Sequence, residues 1–139
     1  MPSIEGVVVK SLVTHPDERG FFREVIRKTD PFFAEGFAQL SHSLMHPGVA
    51  KAWHIHKTQI DWWYVPIGVL KVALYDARPE SPTKGVLQEL FMGGEHGYSV
   101  LKIPRCYPTP TVNTLNRMIP LLCGKSFEIL CQPQKNREG

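Results

Sequence analysis

Two histidines two residues apart, His54 and His56, are followed five residues later by Asp61. Of all the residues in the chain, these have the types and spacing best suited to chemistry. On a β-strand, residues two apart face the same side, so a strand here would present both imidazoles together. Histidine exchanges a proton near neutral pH, which suits His54 to the role of a general base. Two imidazoles and a carboxylate also make a three-ligand set for Fe(II), Mn(II), Ni(II) or Zn(II), with His54, His56 and Asp61 as ligands. A third reading is that the imidazoles merely line a packed barrel interior. The residue types alone leave all three open.

The elements that must position these side chains are strands. Trp53, Ile55, Trp62, Trp63, Tyr64 and Val65 surround the cluster, and aromatic and β-branched residues favour pleated structure. Pro66-Ile67-Gly68 reads as a turn into a next strand over Val69–Asp76. Gly48 stands six positions before His54, with five residues between them, and Gly68 stands seven after Asp61. This spacing resembles the first motif of the cupin superfamily: a glycine, His-x-His, a glutamate and a second glycine. Asp61 takes the glutamate's place.

Length and composition set the frame. At 139 residues the chain makes one domain with its own core. A net charge of +3 with scattered basic residues gives no nucleic-acid surface, though it suits an anionic substrate. No apolar run reaches the length of a membrane span. The N-terminus carries no charged-then-apolar leader, so a cytoplasmic location is expected. Cys106, Cys123 and Cys131 are odd in number and form no Cys-x-x-Cys pair. That argues against a disulfide framework or a zinc ribbon.

In chain order, Gly6–Val13 reads as a first strand and His15–Gly20 as a turn. Phe21–Arg27 reads as a second strand whose Phe21 and Phe22 contribute to a core, and Pro31–Glu35 as a short helical turn. Phe37–Met45, Val86–Phe91 and Tyr98–Ile103 read as further strands. Arg78–Gly85 is a polar loop, with Asp76 and Arg78 positioned to pair at its base. Trp53, Trp62 and Trp63 are expected in a core or dimer contact, and His15, His42, His46 and His96 in solvent. Many short strands separated by turns predict an all-β fold, a cupin-type jelly-roll barrel or double-sheet β-sandwich.

With these pieces in order, the chain resembles the dTDP-4-dehydrorhamnose 3,5-epimerase family of cupins over about residues 6–104. Asp17-x-Arg19-Gly20-x-Phe22-x-Glu24 is similar to the family's "D-x-R-G-x-F-x-E". Gln39-x-Ser41-x-Ser43 followed by Gly48-Val49 is similar to its "Q-x-N-x-S … G-V-L-R-G-L-H", which puts His54 on the motif's histidine. Asp76-x-Arg78-x-x-Ser81-Pro82-Thr83-x-Gly85 is similar to "D-x-R-x-x-S-P-T-x-G", and Ile103-Pro104 to the start of "I-P-x-G-x-x-H-G".

The resemblance implies an isomerase of polysaccharide biosynthesis. Such an enzyme removes protons beside the keto group of a dTDP-4-keto-6-deoxyhexose and returns them on the opposite face. Carried over, His54 is the base, Arg19 binds substrate and Gln39 lines the site. Lys51 stands where the motif has arginine, keeping the charge without the bidentate fork. No metal or nicotinamide is required, and a homodimer is implied. Two positions depart from the pattern: His56 replaces a glutamine, and Asp61 a lysine that helps hold substrate. A carboxylate at 61 repels a diphosphate, which keeps the metal-dependent cupin (an oxygenase or small-molecule isomerase) and a non-catalytic sugar-binding cupin in view.

After Pro104 the character changes, so residues 1–104 are read as the cupin domain and 105–139 as an atypical tail. Cys106 and Thr109 stand where the patterns want glycine and histidine. Five prolines from Pro104 onward would hinder closing strands, and Val112–Leu122 has the spacing of a short amphipathic helix. The tail is either divergent or encoded in a shifted frame. Back-translated from Pro108 and read two bases later, permitted codons allow His-Ala-Tyr-Ser-Lys and then Asn-Asp-Pro-Leu-Val-Val-Trp-Lys-Val. The histidine then falls level with Thr109, and the aspartate is forced by Met118-Ile119. As it stands, the chain lacks that second-motif histidine, which puts its own activity in question.

Overall fold

The computed structural model of the chain describes residues 3–46, 51–55, 60–104, 114–120 and 126–132; at 45, 51–55, 114–120 and 126–132 it describes the backbone alone. The fold is all-β. Its strands are β1 (Val8–Ser11), β2 (His15–Asp17), β3 (Gly20–Phe22), β4 (Gln39–Met45), β5 (Lys51–Ile55), β6 (Asp61–Ile67), β7 (Leu70–Asp76), β8 (Leu87–Met92), β9 (Ser99–Ile103), β10 (Thr114–Pro120) and β11 (Ser126–Gln132). Helix among the described residues is confined to two 3-10 turns, Pro31–Phe33 and Gly94–His96, and none is long and apolar enough to cross a membrane.

Two antiparallel sheets form the sandwich, with orders β1-β9-β6-β11-β4 and β5-β10-β7-β8. The strand β6, Asp-Trp-Trp-Tyr-Val-Pro-Ile, explains why an unbroken aromatic run forms one strand: its residues 61–65 are all buried. Trp63 and Val65 pack with Leu70, Val72, Leu74, Met92, Leu101 and Ile103 in the main core. The opposite side of the strand, Trp62 and Tyr64, lies under Phe32 and Phe33. Trp62 Nε1 donates to the Phe32 carbonyl at 3.0 Å, and the Phe33 ring meets the indole edge-on at 4.9 Å. Each core aliphatic fully buried this way contributes roughly 1.5–3 kcal/mol. Gly68, at φ 86°, turns the chain from one sheet into the other.

A second anchor is polar. Asp76 Oδ1 and Oδ2 accept from the Arg78 guanidinium, both at 2.8 Å, and Oδ2 also accepts from Ser81 Oγ at 2.6 Å and Thr83 Oγ1 at 2.7 Å. Arg78 then donates to the Glu5 carbonyl at 2.7 Å, and Glu5 N donates to Thr83 Oγ1 at 2.9 Å. The pairing of Asp76 with Arg78 is as the sequence implied. It also ties the start of the chain to the 77–85 loop.

Three expectations change. The strand expected over Phe21–Arg27 shrinks to β3, which pairs with β2 as a separate hairpin. Phe21 and Phe22 there are each 63% exposed rather than in a core, because the hairpin stands off the sandwich as its own two-stranded sheet. The helix expected over Val112–Leu122 is instead strand β10. That strand is hydrogen-bonded to β5 on one side and β7 on the other, a gap in the sheet that only a strand can fill.

Candidate functional site

Cross-strand register gathers the candidate residues at one end of the sandwich. Leu40 aligns with Cys131, Cys131 with Trp62, and Trp62 with Lys102. Gln39 and Asp61, each one residue before its member of that row, therefore share the next row, which ends at Ile103. This row lies on the core side of the sheet, where Ile103 is buried. Asp61 is 2% exposed. Gln39 stands on β4, the last strand of the sheet, and its Nε2 donates to Ser41 Oγ at 3.0 Å. Gln39, Ser41 and Ser43 make one side of β4 polar, while Leu40 and Leu44 on the other side are exposed.

The facing sheet supplies the histidine. His54 lies in β5 and aligns across Asn116 of β10 with Leu74 of β7, a core residue. Lys51 lies at the other end of β5, aligned across Met118 with Val72. β5 ends at Ile55 in this sheet, and β6 begins at Asp61 in the other. By register, the backbone positions of His54, Asp61 and Gln39 lie toward one end of the sandwich, where β7 also finishes, at Asp76. The side chains of His54 and Lys51, and all of His56, Cys106 and Thr109, lie outside the described residues. Among the described residues no three His, Cys, Asp or Glu side chains converge as a metal-ligand group would.

Arg19 is placed differently. It sits at the hairpin turn with its side chain 82% exposed and donates to Asp17 Oδ2 at 2.6 Å, while its backbone N donates to Asp17 Oδ1 at 2.8 Å. These bonds from Arg19 hold the Asp17 carboxyl below its ordinary value. The hairpin is fastened by a residue that the motifs did not single out. Arg23 lies over the Tyr98 ring at 3.7 Å and the Phe21 ring at 4.5 Å, and donates to the Tyr64 hydroxyl at 3.1 Å. An arginine just after two phenylalanines was the available signal.

A surface cleft of about 350 Å³ opens between β1, the start of the hairpin and the 24–30 segment. Its cations are already engaged: Lys10 binds Asp30 at 2.7 Å, and Arg27 lies 3.5 Å from Glu24. Burial raises the Asp30 carboxyl, but the Lys10 and Arg27 contacts outweigh it and hold it below its ordinary value. With its charges neutralised, this cleft is a poor receiver for a diphosphate, and the mouth beside β5 and β6 remains the candidate site. The core wall near that mouth carries one further polar atom. Trp63 Nε1 is buried with no hydrogen-bond partner among the described residues.

The sequence pattern of the dTDP-4-dehydrorhamnose 3,5-epimerase family matches residues 2–107. The spore coat polysaccharide biosynthesis protein SpsL of Bacillus subtilis is 44% identical over 110 residues, covering 70% of this chain and 72% of that protein. The probable low-salt glycan biosynthesis epimerase Agl13 of Haloferax volcanii is 39% identical over 105 residues, covering 75% and 67%. Among solved structures, a dTDP sugar isomerase from Desulfovibrio desulfuricans G20 superposes with a TM-score of 0.84 at 27% identity, covering 98% of this chain and 82% of that one. These findings favour the sugar-nucleotide epimerase reading of the chain over the metal-dependent and non-catalytic ones.

Proposed function

This chain belongs to the dTDP-4-dehydrorhamnose 3,5-epimerase family, a family of isomerases, and from that premise we propose that His54 is its catalytic base. The substrate is a dTDP-4-keto-6-deoxyhexose. His54, as a neutral imidazole with an ordinary pKa of about 6.5, removes the proton on a carbon beside the keto group. The electron pair moves into an enolate, whose oxygen is met by cationic or hydrogen-bonding groups. Return of a proton on the opposite face inverts the centre. Lys51, from the same strand, supplies positive charge, Gln39 a side-chain amide, and Arg19 an exposed guanidinium for the diphosphate. The proton transfers call for neither a metal nor a nicotinamide. A charged nucleotide-sugar substrate suits a cytoplasmic enzyme, and we place it there.

The observation that carries this reading is the family match across residues 2–107, which spans Arg19, Gln39, Lys51 and His54 together. It is tested by incubating the protein with dTDP-4-keto-6-deoxyglucose and following the sugar-ring proton couplings by NMR. New couplings from an epimer at the carbons beside the keto group are expected. An unchanged spectrum, from protein that binds the nucleotide, would instead support a sugar-binding role.

We further propose a homodimer. Its support is the exposed apolar surface of Phe37, Leu40 and Leu44 on and beside the outermost strand β4, with Phe21 and Phe22 on the detached hairpin. For the tail we propose that the segment from Pro108 is encoded two bases out of the family's frame. The family match stops at residue 107. The β10 positions aligned with core residues Leu74, Val72 and Leu70 are Asn116, Met118 and Pro120, a poor set for a central strand. Sequencing the DNA from codon 100 to the stop decides the point: a histidine near position 109 in another frame is expected, and its absence from every frame makes the tail a true divergence.

A further inference from the structure

Arg19, the residue proposed to meet the diphosphate, stands on a hairpin too small to hold its own position. Strands β2 and β3 pair with each other as a separate two-stranded sheet. Each has three residues, all of them exposed, and Pro16 takes one backbone donor out of the pairing. A lone two-stranded hairpin is marginal in water, so side chains that reach the sandwich must set its place. Arg23, the first residue after β3, makes such contacts in both directions. Toward the hairpin, its Nε donates to Thr14 Oγ1 at 2.9 Å, just before β2, and its guanidinium lies over the Phe21 ring at 4.5 Å. Toward the sandwich, it lies over the Tyr98 ring at 3.7 Å and donates through Nη1 to the Tyr64 hydroxyl at 3.1 Å. Tyr64 is buried in β6 beside Trp62 and Val100, and Tyr98 packs against the same cluster. The Tyr98 carbonyl also accepts from Leu12 N at 2.9 Å, where the chain approaches the hairpin. A planar guanidinium suits this set of partners, with its face on the rings and its edge toward the hydroxyls; a lysine ammonium has no such face.

From this geometry we infer that Arg23 is a positioning residue for substrate binding: it clamps the hairpin to Tyr64 and Tyr98 and so fixes the place at which Arg19 meets the diphosphate. This deepens the reading of Arg19 as a substrate-binding residue and rests on it. Arg19 is already oriented within the hairpin by its bond to Asp17 Oδ2 at 2.6 Å. With its side chain 82% exposed, the rest of its five-donor fork is open to a phosphate. What the hairpin lacks is a fixed relation to the sandwich, and Arg23 supplies it. A hairpin that swings freely must be ordered when the ligand binds, which weakens affinity; a clamped one is ordered beforehand. The effect falls on binding and not on the chemical step, because the diphosphate is the same in the ground state and the transition state.

The test uses the full chain, with titration calorimetry of dTDP beside epimerisation kinetics. Arg23→Lys keeps the charge and loses the planar fork. It is expected to weaken dTDP binding and raise KM by about tenfold, with kcat nearly unchanged. Tyr64→Phe removes only the accepting hydroxyl; it shifts Kd the same way by about threefold and serves as the second variant if Arg23→Lys does not fold. A double-mutant cycle then separates the clamp from a direct contact. In an Arg19→Ala background, Arg23→Lys is expected to change Kd no further, because the clamp acts through Arg19. Additive losses overturn the inference, since Arg23 then acts on the ligand by itself. So does an unchanged Kd in folded Arg23→Lys. Because calorimetry needs no turnover, a coupled cycle in a protein that fails to epimerise upholds the clamp while the proposed function falls. Epimerisation with a KM indifferent to Arg23 overturns the clamp alone.

Discussion

Asp76 has no solvent contact, and burial alone would raise its carboxyl. The bonds from Arg78, Ser81 and Thr83 overcome that and leave it far below the ordinary carboxylate range. The sign of the consequence follows from linkage. A group whose folded pKa lies below the unfolded value, about 3.9 for aspartate, stabilises the fold above that value. It loses the contribution as pH falls through it toward the folded pKa. Asp76→Asn is therefore expected to cost about 3 kcal/mol at pH 7, with the gap to wild type narrowing below about pH 4. Urea melts at several pH values measure it; a gap independent of pH would contradict the assignment. This pair was legible in the sequence because Asp-x-Arg followed by Ser-Pro-Thr concentrates donors around one carboxylate. The burial of Asp61 was not, since nothing local says which end of a strand the opposite sheet covers.

At the scale of elements, the close approach of the 3-10 turn at Gly94–His96 to the β6–β7 turn depends on glycines at 93 and 94. Gly93 has φ +88°, and a Cβ there would collide with the Gly68 carbonyl oxygen and press on Val65. Gly93→Ala is expected to destabilise the protein by about 1–3 kcal/mol, read as a lowered urea midpoint. Full stability would mean that the two turns separate easily. Strands β4, β7, β8 and β9 were readable because apolar alternation and flanking turn residues agree there. The hairpin misled because Phe21 and Phe22 look like core residues when their sheet partner is unknown. In the sequence around β10, Leu115, Met118, Ile119 and Leu122 repeat at helical spacing. What makes the segment a strand is the place left open between β5 and β7, a property of the whole sheet rather than of the segment.

At the scale of the molecule, the outermost strand β4 and the detached hairpin leave apolar surface that a second copy would cover. Leu40→Lys with Leu44→Lys is expected to convert a dimer to a monomer in analytical ultracentrifugation while circular dichroism keeps its strand signature. A dimer that survives both charges would place the interface elsewhere. The fold class was legible from the number of strands and turns, and the family from motifs set in the right order. The placement of the His54, Asp61 and Gln39 backbone positions toward one end was not, because it arises from pairings between strands far apart in the chain.

The central claim is that His54 takes a proton from the carbon beside a keto group, and solvent exchange reads that step most directly. Wild-type protein in D₂O with dTDP-4-keto-6-deoxyglucose is expected to place deuterium on a carbon beside the keto group, seen as a mass increase of the sugar nucleotide. His54→Asn, folded as judged by its melting curve, is expected to exchange about 10²–10⁴-fold more slowly. Exchange at an equal rate in wild type and His54→Asn, or none in wild type, would contradict the account.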